Sequence, residues 1–267
     1  MVSCVLSRLS AAITLTAALA FTGCAAPAAG TVPGGSPPST TAMLSGELTI
    51  YAAASLKPGF DELATAFGAA HPGVTVAPVV YDGSSRLAIQ IIEGAGVDVF
   101  AAADESTMQR VVDAGLAAAP KVFAANTLTL VVPRGNRAGV SGLVDLAQPD
   151  LTVALCAIEV PCGAATSTLF AATGVTPDVD SYEQNVAAVL AKVSTGEVDA
   201  GLVYVTDAAR SAEVEVIEVA GADAVVNRYP IAALTGSAHP RVADAFVRYV
   251  QSDEARAVLA GLGFGAP

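Results

Sequence analysis

Residues able to do covalent or metal chemistry are scarce in this sequence. Of 267 residues only two are histidine, His71 and His239. Each precedes proline, a context that suits a surface turn better than a catalytic or metal centre. No Gly-x-Ser-x-Gly segment is present, so the strand–turn–helix elbow that raises a serine nucleophile has no candidate. Cys156 and Cys162 do not have the Cys-x-x-Cys spacing of a thiol oxidoreductase. Charge is scarce too, at 14%, and the 13 basic side chains are outnumbered by 25 acidic ones. That balance argues against nucleic acid and against an anionic membrane surface as partners. Beyond the N-terminus no apolar run is long enough to cross a bilayer.

What is abundant is apolar surface, at 53% of residues. Such a chain is long enough for one large domain or two lobes, each with its own core, and too apolar for a disordered one. The first residues read as an export signal: Arg8, an apolar stretch over residues 9–21, then Phe21-Thr22-Gly23-Cys24. Small residues before a cysteine resemble a bacterial lipobox, although its usual leucine is Phe21 here. The expectation is a signal peptide over 1–23 and a lipidated Cys24 that tethers the chain to a membrane without spanning it. Ordinary secretory cleavage with an incidental Cys24 is the alternative. Residues 25–45 hold four Pro, three Gly, six Ser or Thr and no charge, the composition of a disordered linker.

From Glu47 onward strand-like and helix-like segments alternate, which predicts a mainly parallel α/β sheet. Strands are expected over residues 48–53, 74–81, 97–102, 127–132, 151–155 and 201–205. Leu56, Phe60, Leu63 and Phe67 recur at helical spacing. Asp104 is placed to cap a helix carrying Met108, Val111 and Val112, and one closing helix is expected from Arg241 to about Ala260. Cys156 and Cys162, in an exported chain, suggest a disulfide; a metal site or two free buried thiols are the other readings.

Four junctions set a small or polar residue where a helix begins: Ala52-Ala53-Ala54-Ser55, Tyr81-Asp82-Gly83-Ser84-Ser85, Val160-Pro161-Cys162-Gly163 and Asn185-Val186. Helix starts carry unpaired N–H groups and the positive end of the helix dipole, so they attract anions. Any one such serine is more often only an N-cap. Four together make an anion site competitive.

The order and spacing of the first two junctions, followed by Val97-Asp98-Val99-Phe100-Ala101-Ala102-Ala103-Asp104, resemble the periplasmic molybdate-binding proteins. Val160-Pro161-Cys162-Gly163, Gly201-Leu202-Val203-Tyr204-Val205-Thr206-Asp207-Ala208 and the closing Gly261-Leu262-Gly263-Phe264 extend the likeness over about residues 47–264. The resemblance implies a two-lobed, type II periplasmic binding protein fold with mixed, mainly parallel sheets and a two-stranded hinge. Lobe 1 would take residues 46–125 and 227–267, and lobe 2 residues 126–226.

It also implies that molybdate, or tungstate, sits between the lobes. Ser55 and Ser84 would offer hydroxyl and backbone N–H, Cys162 and Val186 backbone N–H, and Tyr204 its phenol. Position 162 is commonly Ala in that family, but a main-chain contact tolerates the change. The implied role is capture without catalysis, cofactor or resident metal, by a monomer that delivers its oxyanion to an ABC permease and its ATPase at the outer face of the cytoplasmic membrane. Asp82 and Asp98 read as a turn and a strand residue, and Tyr51, Tyr81 and Tyr182 as packing. Should Asp82 face the cleft, phosphate returns as a candidate. The rival readings are the same fold binding sulfate or another oxyanion, and a secreted enzyme.

Overall fold

The computed structural model describes residues 43–267. The export signal, Cys24 and nearly all of the linker expected above lie outside the described residues.

In chain order the elements are β1 Gly46–Leu48, β2 Ile50–Ala53, α1 Lys57–Ala70, β3 Val74–Val76, β4 Val80–Asp82, α2 Ser84–Ile92, β5 Val99–Ala101 and α3 Glu105–Asp113. The long β6 Lys121–Pro133 is followed by β7 Val153–Cys156, α4 Pro161–Thr173, β8 Ser181–Glu183, α5 Val186–Thr195, β9 Ala200–Tyr204, the single turn α6 Val205–Ala208 and β10 Val214–Ile217. The chain then returns through β11 Val226–Ala233 to α7 Pro240–Val250 and α8 Asp253–Gly261.

The main sheet runs β4-β2-β5-β11-β6-β9-β7-β8, with β10 paired to β6. Its wings are parallel, β4-β2-β5 on one side and β9-β7-β8 on the other. The centre is antiparallel, because β11 and β6 carry the chain between the wings. One wing packs the Leu48, Leu56, Phe60, Phe67 and Phe246 cluster on one face and Leu87, Phe100 and Met108 on the other. The other wing has its own core around Leu130, Val153, Leu169, Val189 and Leu202. Two wings, each with its own packed interior, joined by two paired strands make a two-lobed molecule. Where the strands cross, Asn126 stands opposite Asn227; Asn126 donates to Thr206 Oγ1 at 2.8 Å and Asn227 to the Ala103 carbonyl at 3.0 Å.

The helical stripe Leu56, Phe60, Leu63 and Phe67 is fully buried, and the Asp104 side chain accepts the Thr107 N–H at 2.8 Å. The structure departs from the sequence reading elsewhere. The 74–81 segment is two strands, β3 and β4, because Pro78 lies between them and offers no ladder N–H. Residues 48–53 divide at Thr49, whose N–H is taken by the Asp98 carboxylate at 2.8 Å. The single closing helix is two, since the Ser252 hydroxyl accepts the Ala255 N–H and starts α8 afresh. The sheet is parallel only in its wings. β8, β10 and β11 had no sequence counterpart; β11 contains Pro230 and accommodates it by a register shift at Tyr229/Pro230.

Candidate functional site

The four junctions meet between the lobes. Ser55 lies in a 3₁₀ turn, Ala54–Leu56, that leads β2 into α1. Ser84 opens α2 behind the N-cap residue Gly83, Cys162 follows Pro161 in the first turn of α4, and Val186 opens α5 behind the capping Asn185. Ser55, Ser84, Cys162, Val186 and Tyr204 all line one small cavity, and none is more than 3% exposed. The cavity is small, about 10 Å³, the space of a single water and too little for an organic solute.

The hydroxyls at the cavity are buried. Ser84 Oγ accepts the Ala103 N–H at 3.0 Å, which leaves its own proton free. Ser55 Oγ lies 3.0 Å from Tyr229 Oη, a fully buried phenol. Burial pushes the Tyr229 phenol well above its usual range, so it stays protonated, and either hydroxyl of the pair can donate to the other. The Tyr204 hydroxyl is buried and has no hydrogen-bond partner. Burial also pushes its proton up, so it remains a donor. An orphaned buried donor beside a cavity is the mark of a site whose acceptor comes from outside the chain.

The lobes are in contact around this cavity. Asn185 Nδ2 donates to Asp82 Oδ1 at 2.9 Å across the cleft, and Ser85 Oγ donates to the Glu159 carbonyl. Gly83 passes so close to lobe 2 that an added Cβ would stand 2.1 Å from the Gln184 carbonyl oxygen. Glycine at 83 is therefore a condition of this approach.

Asp82 corrects the reading of a simple turn residue: it ends β4 and borders the cavity. Its oxygens are already engaged, Oδ1 by the Gly83 N–H at 2.7 Å and by Asn185, Oδ2 by Arg86 at 3.3 Å. Asp98 precedes β5 and does not belong to it; it accepts from the Thr49 N–H and, at 2.5 Å, from the Ser237 hydroxyl. Neither histidine reaches the cavity: His71 ends α1 against Phe67, and His239 precedes α7. Tyr51 and Tyr81 pack as expected, whereas Tyr182 is 62% exposed because β8 is an edge strand. Among the described residues no group of three or more His, Cys, Asp or Glu is placed to hold a metal ion.

Two features escaped the sequence reading. Tyr229 sits on β11, whose Pro230 hides the strand pattern. Asp207, in α6, lines a second interlobe cleft of about 420 Å³ with Lys57, Asp61 and Arg210. Its Oδ2 is buried without a partner, and burial raises its pKa to about 7 against the opposing pull of Arg210 and the Tyr204 N–H. Cys156 and Cys162 are joined by a disulfide.

Residues 48–265 match the family model described as bacterial extracellular solute-binding protein. The molybdate-binding protein ModA of Mycobacterium tuberculosis (strain H37Rv) is 42% identical over 222 residues, 82% of this chain and 85% of that protein. Among solved structures, the Azotobacter vinelandii periplasmic molybdate-binding protein superposes with a TM-score of 0.69 at 19% identity, covering 82% of this chain and 99% of that one. The sulfate-binding protein SubI of Mycobacterium tuberculosis H37Rv gives a TM-score of 0.69 at 21% identity, covering 82% and 86%. At those identities the two structures share the fold alone.

Proposed function

The chain belongs to the bacterial extracellular solute-binding proteins, and we propose that it captures molybdate, with tungstate as its close analogue, in the cavity between its lobes. The observation that carries this reading is the unpartnered, buried Tyr204 hydroxyl beside the buried hydroxyls of Ser55 and Ser84 on one cavity. Molybdate is a tetrahedral dianion at neutral pH: every oxygen accepts and none donates. Neutral O–H groups and the first N–H groups of α2, α4 and α5 suit it as charge-assisted donors without a counter-charge. Local dipoles in a desolvated cavity outweigh a net charge of −12 spread over the whole molecule.

Capture is proposed to be a closure of lobe 1, residues 46–125 and 227–267, on lobe 2, residues 126–226, about the paired strands β6 and β11. The bound oxyanion gives the closed form its extra population, and an ABC permease with its ATPase receives that form. The chain would act as a monomer and without catalysis. It would be held by a lipid on Cys24 at the outer face of the cytoplasmic membrane; intact mass of the membrane-extracted protein, with Cys24→Ser as control, tests the anchor.

Sulfate has the same shape and charge in a smaller ion, and hydrogen phosphate would exploit Asp82 as an acceptor. Titration calorimetry of the apo protein with molybdate, tungstate, sulfate and phosphate decides among them. Molybdate and tungstate should bind far tighter than the other two. Sulfate binding as tightly as molybdate would overturn the assignment.

A further inference from the structure

The lobe 2 wall of the cavity has a covalent tie behind it. Cys156, the last residue of β7, is bonded to Cys162 in the first turn of α4, with their Cα atoms 5.7 Å apart. Cys162 lines the anion cavity, whereas Cys156 and Gly163 line a separate cleft of about 570 Å³ on the other side of the turn. The bridge therefore spans from the back of the turn to the residue whose main chain stands at the front. The same turn also supplies the Glu159 carbonyl that accepts from Ser85 of lobe 1. Its other ties are the Val160 N–H to the Ala157 carbonyl at 3.1 Å and the Ala157 N–H to the Glu183 carbonyl at 2.8 Å. Gly163 packs so tightly against Ala157 that a Cβ would stand 1.8 Å from its carbonyl oxygen. A shift of residues 157–160 would thus move the start of α4 with it.

We propose that the Cys156–Cys162 disulfide is a positioning element of the anion site, so that the oxidised chain binds the oxyanion tightly and the dithiol chain binds it weakly. The proposal rests on the reading of the cavity as an oxyanion site. With the bridge closed, Cys162 lines the cavity and the Glu159 carbonyl accepts from Ser85. Reduction breaks the one S–S bond and leaves two thiols. The two electrons and two protons come from a small thiol reductant, which ends as its own disulfide. The cleft lined by Cys156 borders the bridge, whose two cysteines are each 3% exposed. Opening the ring restores freedom to the turn, and the ligand must then order that turn as it binds. By linkage the coupling is reciprocal: whatever factor oxidation adds to affinity, bound oxyanion adds to the stability of the disulfide.

That reciprocity separates positioning from mere stabilisation. If the bridge only held lobe 2 together, its reduction would lower the melting temperature of empty and loaded protein alike, and ligand would not move its redox equilibrium. The test uses the full chain and molybdate as probe. Protein reduced and then freed of reductant without air is titrated by calorimetry beside the oxidised form. In parallel, the oxidised fraction in glutathione buffers is read by thiol alkylation and mass, with and without saturating molybdate. Reduced protein should bind at least tenfold more weakly, and molybdate should shift the thiol–disulfide equilibrium toward the disulfide by the same factor. The double variant Cys156→Ala, Cys162→Ala should match the reduced form while melting cooperatively; if it fails to fold, the glutathione equilibrium of the wild-type chain decides alone. Affinities within twofold, or an equilibrium that molybdate leaves unmoved, would overturn the coupling. An oxidised chain that binds none of molybdate, tungstate or sulfate would instead overturn the anion-site reading itself.

Discussion

Tyr229 and Ser55 stand 174 residues apart in the chain, yet their hydroxyl oxygens meet at 3.0 Å behind the interlobe cavity. The contact joins β11 to the turn before α1. Tyr229 is packed edge-on against Tyr204 and Phe264 and has no access to solvent. Its phenol stays protonated, and the contact constrains the Ser55 hydroxyl whichever of the two donates. Tyr229→Phe keeps the rings and removes that constraint. Molybdate affinity should fall by about 1 kcal/mol, the worth of one hydrogen bond, with the fold intact by circular dichroism. Calorimetry on the variant checks this; unchanged affinity would mean that Ser55 needs no orienting partner.

The two serines differ in what their loss leaves behind. Ser55→Ala and Ser84→Ala should each weaken molybdate binding by about 1–3 kcal/mol, because each strips a donor from a desolvated anion. Ser84 also accepts the Ala103 N–H. Ser84→Ala therefore strands a buried backbone donor and should lower stability as well as affinity. Ser55→Ala likewise takes its partner from the buried Tyr229 hydroxyl, so urea unfolding should register a stability loss in both variants, and paired calorimetry the loss of affinity.

Gly83 marks a close approach of the lobes. The Cβ of Gly83→Ala would stand 2.1 Å from the Gln184 carbonyl oxygen, a backbone atom that cannot swing aside. Yet 83 has φ −59° and ψ 131°, a conformation alanine adopts freely. The variant should fold and, when empty, melt near the wild-type temperature. It should lose most of its molybdate affinity, and small-angle scattering should find no compaction on adding ligand. Wild-type affinity would rule out closure at this contact.

The sequence showed the site better than the sheet that carries it. Ser55, Ser84, Cys162, Val186 and Tyr204 share short motifs at helix starts, where local chemistry and position coincide. Their convergence on one cavity was implied by family resemblance and is seen in the fold. Tyr229 left no such sign: its strand contains Pro230, a residue that argues against a strand, and only the register shift beside it reconciles the two. β10 was missed because its residues Val214, Glu215, Val216 and Ile217 form a run too short to stand out, defined by pairing with the far end of β6. The split of the last helix was legible, since Ser252-Asp253-Glu254 is a helix start. The spacing Val242, Phe246, Val250, resumed at Val258 past Glu254, masked it.

Asp207 makes the protein's stability depend on pH in an unusual direction. Its folded pKa is about 7, against an ordinary value of 3.8. Between those values the native state holds a proton that the unfolded chain has released, so stability falls as pH rises from about 4 to about 7 and then levels off. Arg210 opposes the shift without cancelling it, and Lys57 and Asp61 line the same cleft. Asp207→Asn should remove this slope. It should equal the wild type near pH 3.5 and exceed it at pH 8 by on the order of 2 kcal/mol, allowing for partial exposure, as read from urea unfolding at the two pH values. A dianion held beside Tyr204, three residues away in the chain, would oppose ionisation of Asp207 further. Molybdate affinity should therefore decline as pH climbs past 7 in the wild type and stay flatter in the variant. Calorimetry in buffers of different ionisation enthalpy should register proton uptake on binding at pH 7.5 for the wild type alone. Equal pH profiles for the two proteins would show that Asp207 is already ionised in the native state.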